Sequence, residues 1–412
     1  MGGILFTGGR VFDGTGAAPE RADVLVEDGV IAAVGTGLTA SDGARVVDAT
    51  GRIILPGLID AHVHLTLSDI NLVNRVSNPF SLHFFQAVVN CRKTLETGIT
   101  TVRDAAGADL GLKQALSRGL IEGPRVQLAV NMISQTGGHN DGHLSCGLDL
   151  ALFPEHPGVP SGIADGPDEM RRTVRTMLRA GADVIKVATT GGVLSPSDDP
   201  RHAHFRPDEL AALVAEADAA HVHVMAHAQG AEGIKNAVRA GVRSIEHGIF
   251  LDDEAIELML ERGTWLVPTL IAPMSVIEAA ERGELHEPAV LDKALEVASV
   301  HREAVTRAIE AGVNVALGTD TGIGPHGDNL RELPLLAECG LAPYAVWAAA
   351  TSRAAELLGL QDRIGRVAPG LIADLVLLEG ELTDLSGLRG RVTETWQSGR
   401  RVYERAEDGG PR

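Results

Sequence analysis

Three times between residues 167 and 318 an amphipathic segment closes on Ala-Gly and gives way almost at once to a short apolar run. Ala180-Gly181 precedes Val184–Ala188, Ala240-Gly241 precedes Ser244–His247, and Ala311-Gly312 precedes Val313–Gly318. Glycine just past the last helical residue ends a helix in the left-handed conformation. A strand that follows each such helix has to run parallel to the strand before it. The same alternation extends back to residue 57. Candidate strands are Leu58–His64, Thr100–Asp104, Val126–Val130, Val184–Ala188, Val222–His227, Ser244–His247, Trp265–Pro268 and Val313–Gly318. Helical segments such as 167–180, 207–220 and 230–240 lie between them. Eight strands with crossover helices predict an α/β protein built on a (β/α)8 TIM-like barrel over residues 57–362.

The flanks read differently. Residues 1–56 carry short strand signals (4–7, 24–27, 31–34, 52–55), and Glu27-Asp28-Gly29-Val30 is a hairpin signature. Residues 363–412 return to short strands at 364–367, 373–378, 392–396 and 401–403, and the last residues from Glu404 on are polar and expected to fray. The two flanks are predicted to pair into one small β-sandwich domain made from both chain ends. Within the barrel, the stretch 131–165 is a long loop, and loops of that length in compact domains are often functional.

Composition narrows the partners. A formal net charge of −19 argues against nucleic acid, whose phosphates need basic stripes. With aromatics at 3%, the core has to come from Ala, Val, Leu and Ile. Cys91, Cys146 and Cys339 are far apart and form no CxxC, as expected in a reducing compartment. No apolar run reaches the roughly 18 residues of a membrane span, and Met1–Phe6 has no basic leader pattern. The expectation is a cytoplasmic protein acting on a small molecule.

Barrel enzymes carry their chemistry at the C-terminal strand ends. The first strand ends in Asp60-Ala61-His62-Val63-His64, where residues i and i+2 share a face. Later ends carry Lys186, His227, His247 and Asp320. One histidine at a strand end has an ordinary explanation as a hydrogen-bonded core residue, and an aspartate there as a helix cap. Six such groups at the ends of one barrel point instead to a metal site, because neutral imidazole and carboxylate are ligands of zinc and similar ions. Lys186 sits in an apolar strand where desolvation disfavours its charge. Three explanations stay open: a buried carboxylate partner, a neutral amine, or covalent conversion.

With Gly57–His64, Lys186, His227, His247 and Asp320 in this order, the chain resembles the amidohydrolase superfamily of binuclear metal enzymes along its whole length. Ser134–His139, Thr190–Pro196 and His326–Leu333 look like the subgroup of Xaa-Pro dipeptidases and related metal-dependent carboxypeptidases, with imidazolonepropionase a more distant relative. The resemblance implies two divalent ions, zinc first among them, and a CO2-derived carbamate on Lys186. His62, His64 and Asp320 would hold one ion, His227 and His247 the other, and the carbamate would bridge both. A metal-bridging hydroxide would then cleave an amide bond, with Asp320 as general base and then acid, and His247 serving the ion that polarises the carbonyl. His139 is implied as a substrate ligand; His143 and His326 are further candidates for the same pocket. The substrate would be a dipeptide or N-acyl amino acid. The alternative is a non-peptide amide such as imidazolonepropionate, a carbamate or a urea, and a non-catalytic barrel scaffold is disfavoured because all six ligands are kept. Family members often assemble, so a homo-oligomer is expected.

Other polar residues have weaker claims. Arg206 is read as a solvated surface residue, and His202, His204, His221 and His223 as non-ligands. Glu246 should alternate away from His247 and serve packing or capping. One departure bears on the substrate: some peptide-hydrolysing members carry a tyrosine soon after the fifth-strand histidine, and here Ala228-Gln229-Gly230 follows His227.

Overall fold

The computed structural model describes residues 3–40, 42–144, 146–195, 198–285 and 287–406, with the side chains of all but Leu72 and Val73. Pro196 and the 407–412 part of the expected frayed end lie outside the described residues.

The parallel strands form two sheets. Leu58–Val63, Ile99–Asp104 and Arg125–Leu128 make a three-stranded sheet. Met132–Ile133, Val184–Ala188, His223–Ala228, Ser244–His247 and Trp265–Val267 make a five-stranded one in chain order. The predicted third strand is present as Arg125–Leu128; the chain then kinks at Val130 (φ 70°), and Met132–Ile133 adds a short strand where the long loop is expected to begin. A β-branched residue pays for that conformation, and the kink moves the chain from one sheet to the other. The Asp183 amide donates to Leu128 O at 2.7 Å across this seam.

The predicted eighth strand, Val313–Gly318, is not a regular strand. Residues 314–321 nevertheless lie between the first and the last parallel strands. Leu266 N donates to Asn314 O and Ala316 N to Leu266 O on one side; Ala61 N donates to Leu317 O and His64 N to Thr321 O on the other. The ladder breaks because Leu317 N goes to Ala349 O and Thr319 N is also claimed by the Asp60 carboxylate at 3.2 Å.

Helices Pro167–Arg179, Pro207–Ala219, Ala231–Ala240 and Pro288–Ala311 occupy the predicted crossovers. Gly181, Gly241 and Gly312 all have φ between 92° and 101°, as the Ala-Gly endings require. The apolar faces of these helices meet the outer side of the strands in one large cluster that includes Val174, Leu213, Ile234 and Val305. The strands Leu58–Val63, Ile99–Asp104 and Val184–Ala188 are buried at every position, their polar residues included.

Both chain ends meet in a second region. A six-stranded sheet pairs Leu375–Glu379 antiparallel with Arg52–Pro56, and adds Val392–Gln397 and Arg400–Glu404 from the C-terminal flank. A four-stranded sheet comes from residues 4–48, with the Asp28-Gly29 turn joining its hairpin. Phe6, Val24, Ile31, Ile54, Leu375 and Trp396 form one apolar cluster from both sheets, with the Phe6 and Trp396 rings 5.0 Å apart, edge to face. The expected strand at Ile364–Val367 is a bend and turn. Ile364 N bonds Leu360 O and Val367 N bonds Asp13 O, so no neighbouring strand is left for it to pair with.

Candidate functional site

His62, His64, Lys186, His227, His247 and Asp320 line a single cleft of about 630 Å³, counting its open mouth. His62 is in the first strand, on the face it shares with Asp60, and His64 follows the strand. Lys186 is third in its strand, His227 and His247 are at strand ends, and Asp320 is in the turn after residues 314–318. Asp320 Oδ1 lies 3.1 Å from His64 Nε2 and 3.4 Å from His62 Nε2. Ligand atoms of His62, His247 and Asp320 fall within 4.8 Å of one another. The His227 and His247 ring centroids are 4.6 Å apart.

Each of the four imidazoles has one nitrogen held from behind. His62 Nδ1 meets Glu246 Oε2 at 2.8 Å, His64 Nδ1 meets Ala106 O at 2.9 Å, His227 Nε2 meets Gly191 O at 3.1 Å and His247 Nδ1 meets Thr269 Oγ1 at 2.7 Å. Metal-binding histidines are anchored in this way, since the outer partner fixes tautomer and ring orientation. Burial, more than any neighbour, holds the pKa of His62, His227 and His247 well below 6.5, so their imidazoles are neutral. Asp320 is pushed up by burial but pulled down further by His62, His64 and Lys186, and it stays a carboxylate. Neutral imidazoles and a carboxylate are the donor set a divalent ion takes.

The Lys186 ammonium is 2% exposed, and its Nζ has no hydrogen-bond partner among the described residues. Burial is the main influence on it and lowers its pKa to about 8, against the opposing pull of Glu246 and Asp320. A buried amine without a partner is costly as it stands. Of the three explanations the sequence leaves open, direct pairing with a carboxylate is not what the geometry shows.

Backbone conformation is unusual around the same residues. His247 (φ 75°), Thr269 (φ 53°) and Asp320 (φ 57°) all adopt the left-handed region without being glycine. Such conformations persist where surrounding contacts impose them, and they cluster at functional sites. They also correct the reading of Glu246. Strict alternation would turn it away from His247, but the positive φ at His247 breaks the alternation. Both residues therefore reach His62, and Glu246 holds the His62 ring instead of serving packing or capping. The Glu246 carboxylate is fully buried and also takes Arg103 Nη2 at 2.9 Å. An acid in Ser-Ile-Glu-His and an arginine in Thr-Val-Arg-Asp were the available sequence signals.

The motif His326–Leu333 turns out to be scaffolding. Asn329 Nδ2 donates to Asp60 Oδ2 at 2.9 Å, and Asp60 also receives the His62 and Thr319 amides. Glu332 accepts from the amides of Leu270 and Ile271 at 2.8 and 2.9 Å, which sets the turn bearing Thr269. His326 is buried but does not line the cleft; its Nε2 goes to Leu67 O at 2.9 Å. His143 is on the surface against Asp149, away from the cleft. Arg206 is exposed and lines no part of the cleft, and His204, although buried, is also outside it. Lys186, the four histidines, Asp320 and His139 are thus brought together, and His143 and His326 are not.

His139 reaches the cleft from the long loop. Its ring stacks on His227 with centroids 4.2 Å apart. Its Nδ1 is 2.7 Å from Ser195 Oγ and 3.6 Å from Asp198 Oδ2, which leaves Nε2 for a ligand. A Cβ on Gly192 would sit 2.2 Å from His139 Cε1, so the glycine of Thr190-Gly191-Gly192 is required by close approach. Lys293 gathers this loop by donating to the carbonyls of Gly192 and Ser195 at 3.1 and 2.8 Å. Phe153, stacked on His64 at 4.7 Å, and His301, whose Nε2 bonds His247 O at 2.8 Å, complete the walls unannounced by any motif.

Residues 53–402 match the amidohydrolase family. An ochratoxinase from Aspergillus niger is 35% identical over 414 residues, covering 95% of this chain and 85% of that protein. Among solved structures, a prolidase complexed with N-methylphosphonate-L-proline superposes with a TM-score of 0.90 at 33% identity, over 98% of this chain and 100% of the other. A Xaa-Pro dipeptidase with methionine bound in its active site gives 0.89 at 33% identity and the same coverage. Likeness of this extent implies a TIM-like barrel for the parallel strands.

Proposed function

The chain belongs to the amidohydrolase family, and from that premise we propose that it is a two-metal enzyme that hydrolyses a dipeptide or N-acyl amino acid and releases the C-terminal amino acid. Hydrolysis of a carbon–nitrogen bond with a divalent metal follows from the family and from the peptidase-like relatives. The two ions, their identity as zinc and the substrate are the proposal. The observation that carries it is the ring of four imidazoles, each anchored on its outer nitrogen, around the partnerless amine of Lys186.

Lys186 Nζ would add to CO2 with loss of one proton, giving a carbamate that would supply an anionic ligand to the metal site. That removes the cost of the buried amine. His62, His64 and Asp320 would hold one ion, and His227 and His247 the other. Divalent ions in such a site supply Lewis acidity and an activated water near neutral pH. Asp320, whose Oδ1 faces the Nε2 atoms of His62 and His64, would keep Oδ2 to take a proton from water and hand it to the leaving nitrogen. His139 Nε2 would donate to the substrate carbonyl oxygen as it gains charge.

Val193, Leu194, Ile249, Val276, Val297 and Ile323 line the rest of the cleft, so an apolar side chain fits beside the scissile bond. The solved relatives named for Xaa-Pro dipeptides and the proline phosphonate favour a free C-terminal amino acid as product. Gln229 lines the cleft after His227 and sets this chain apart from members with tyrosine there. The reading includes a closed (β/α)8 barrel over residues 57–362 and a β-sandwich from 1–56 and 363–412. A cytoplasmic homo-oligomer is proposed with it. No helix among the described residues is long and apolar enough to cross a membrane.

Metal analysis of the purified protein should give about two divalent ions per chain. A metal-free protein that zinc and bicarbonate do not activate would overturn the proposal. A library of dipeptides and N-acyl amino acids, set against hydantoins, ureas and lactams, tests the substrate: activity on the second set alone would replace a peptidase with a non-peptide amide hydrolase.

A further inference from the structure

The metal cleft opens into a second chamber of about 890 Å³, with His139, Leu152 and Leu194 on the walls of both. Apart from Lys186, no lysine or arginine lines the cleft. The outer chamber is lined mainly by leucines, Ile70 and Val290, with one guanidinium, that of Arg75, and one carboxylate, that of Glu287. Arg75 lies in the short helix Leu72–Ser77, whose cap residue Asn71 is tied by its side chain to Glu284 O at 2.7 Å. This strap fixes the arginine over the chamber.

Arg75 is only half committed. Its Nη2 donates to the carbonyls of Ala151 and Leu152. Among the described residues it forms no ion pair. Asp69 is near enough to act on its charge, but the Asp69 oxygens accept from Asn71 N at 2.7 Å and Asn74 Nδ2 at 2.8 Å. Arginines elsewhere on this acidic chain commonly hold carboxylates, as Arg175 does Glu216 and Arg331 does Glu278, both with two bonds. A partly desolvated guanidinium with donors to spare is a receptor for a planar anion.

We propose that Arg75 receives the carboxylate of the substrate in the outer chamber and so sets the enzyme's preference for acids over neutral amides. This rests on the amide-hydrolase reading above and names its specificity group. The reacting carbonyl would lie at Asp320 and His139, and the carboxylate, three bonds away, at the wall both chambers share, where Arg75 already holds the Leu152 carbonyl.

The test compares an N-acyl amino acid with its C-terminal carboxamide on wild type, Arg75→Met and Arg75→Lys. Wild type should prefer the acid. In Arg75→Met, kcat/KM for the acid should fall about ten- to hundredfold, as for a lost hydrogen bond to a charged group, mostly through KM. The carboxamide should be unaffected and metal content unchanged. Arg75→Lys should recover part of the preference. If Arg75→Met lowers both substrates equally, the residue only holds the Ala151–Leu152 backbone and the proposal is overturned. It is equally overturned if the acid is turned over undiminished. If wild type cleaves neither compound although loaded with metal, the underlying amide-hydrolase reading has failed and not merely the role of Arg75.

Discussion

The imidazoles around Lys186 and the imidazole of His139 are supported in different ways. His62 leans on Glu246, which belongs to a strand of the same parallel set, and His227 leans on the carbonyl of Gly191 just past a neighbouring strand. His139 is placed by segments with no regular structure: Ser195 and Asp198 hold its ring, Lys293 from a distant helix holds them, and the Asn140 side chain pins the loop to Met132 O at 3.0 Å. The difference separates two tasks. On the proposed function, metal binding would use groups at or just past strand ends, where positions are fixed closely, and substrate choice would use groups on loops. Variants should therefore fall into two groups, one losing metal and one losing only substrate.

The largest effect is expected from Lys186→Ala. It should remove bound metal and take activity to background, with partial recovery when a short carboxylate is supplied with the metal. Full activity in that variant would end the bridging role. Glu246→Gln comes next. It keeps shape but weakens the hold on His62 and leaves Arg103 without its counter-charge, so metal affinity should drop about ten- to hundredfold. Isothermal titration of the metal-stripped protein reads this directly, and an unchanged affinity would mean that the strand-built support is dispensable.

Gly192→Ala probes the other side of the comparison. The new methyl would collide with His139, so kcat/KM should fall about a hundredfold, as for a catalytic group displaced by about an ångström. Two metals per chain should remain. Loss of metal in this variant would show that loop and strand supports are one unit.

Asp198→Asn should act mainly on loop stability. Asp198 is pushed up by burial but held down to a pKa of about 2 by His139, Ser195 and Lys293. Its folded pKa is below its unfolded value, so its contribution is complete above about pH 4 and fades as pH falls towards 2. At neutral pH the variant should be less stable by about 2 kcal/mol, from a shift of nearly two pKa units. Denaturant titrations of both proteins should show the gap narrowing below pH 4; a gap independent of pH would assign the loss to packing.

The same division decides what the sequence discloses. Ala-Gly helix ends, the Asp28-Gly29 hairpin and the six strand-end groups are legible because each depends on near neighbours in the chain. The kink at Val130 and the broken ladder at 314–321 are not, since both follow from hydrogen bonds to remote segments. Ile364–Val367 has strand-like residues but no partner strand. Glu246 was misplaced because alternation assumes extended backbone, and His247 is not extended. His143 and His326 carry the residue type expected of a pocket, yet one faces solvent and the other bonds Leu67 O. Arg75 gives no signal in the sequence, since nothing beside it in the short helix Leu72–Ser77 marks it off from other arginines.

The pairing of Arg52–Pro56 with Leu375–Glu379 has a consequence for how the protein is made. The ribosome releases the inner strand of the terminal sheet roughly 320 residues before its partner exists, a wait of tens of seconds at ordinary translation speed. His62 and His64 likewise emerge long before Asp320. The nascent chain must hold an apolar strand with one edge still unpaired, and an unfinished set of cleft residues, until its last quarter arrives. The cleft is therefore assembled only in the nearly completed polypeptide, and chaperone demand should be greatest while residues 52–64 are outside the exit tunnel without their C-terminal partners.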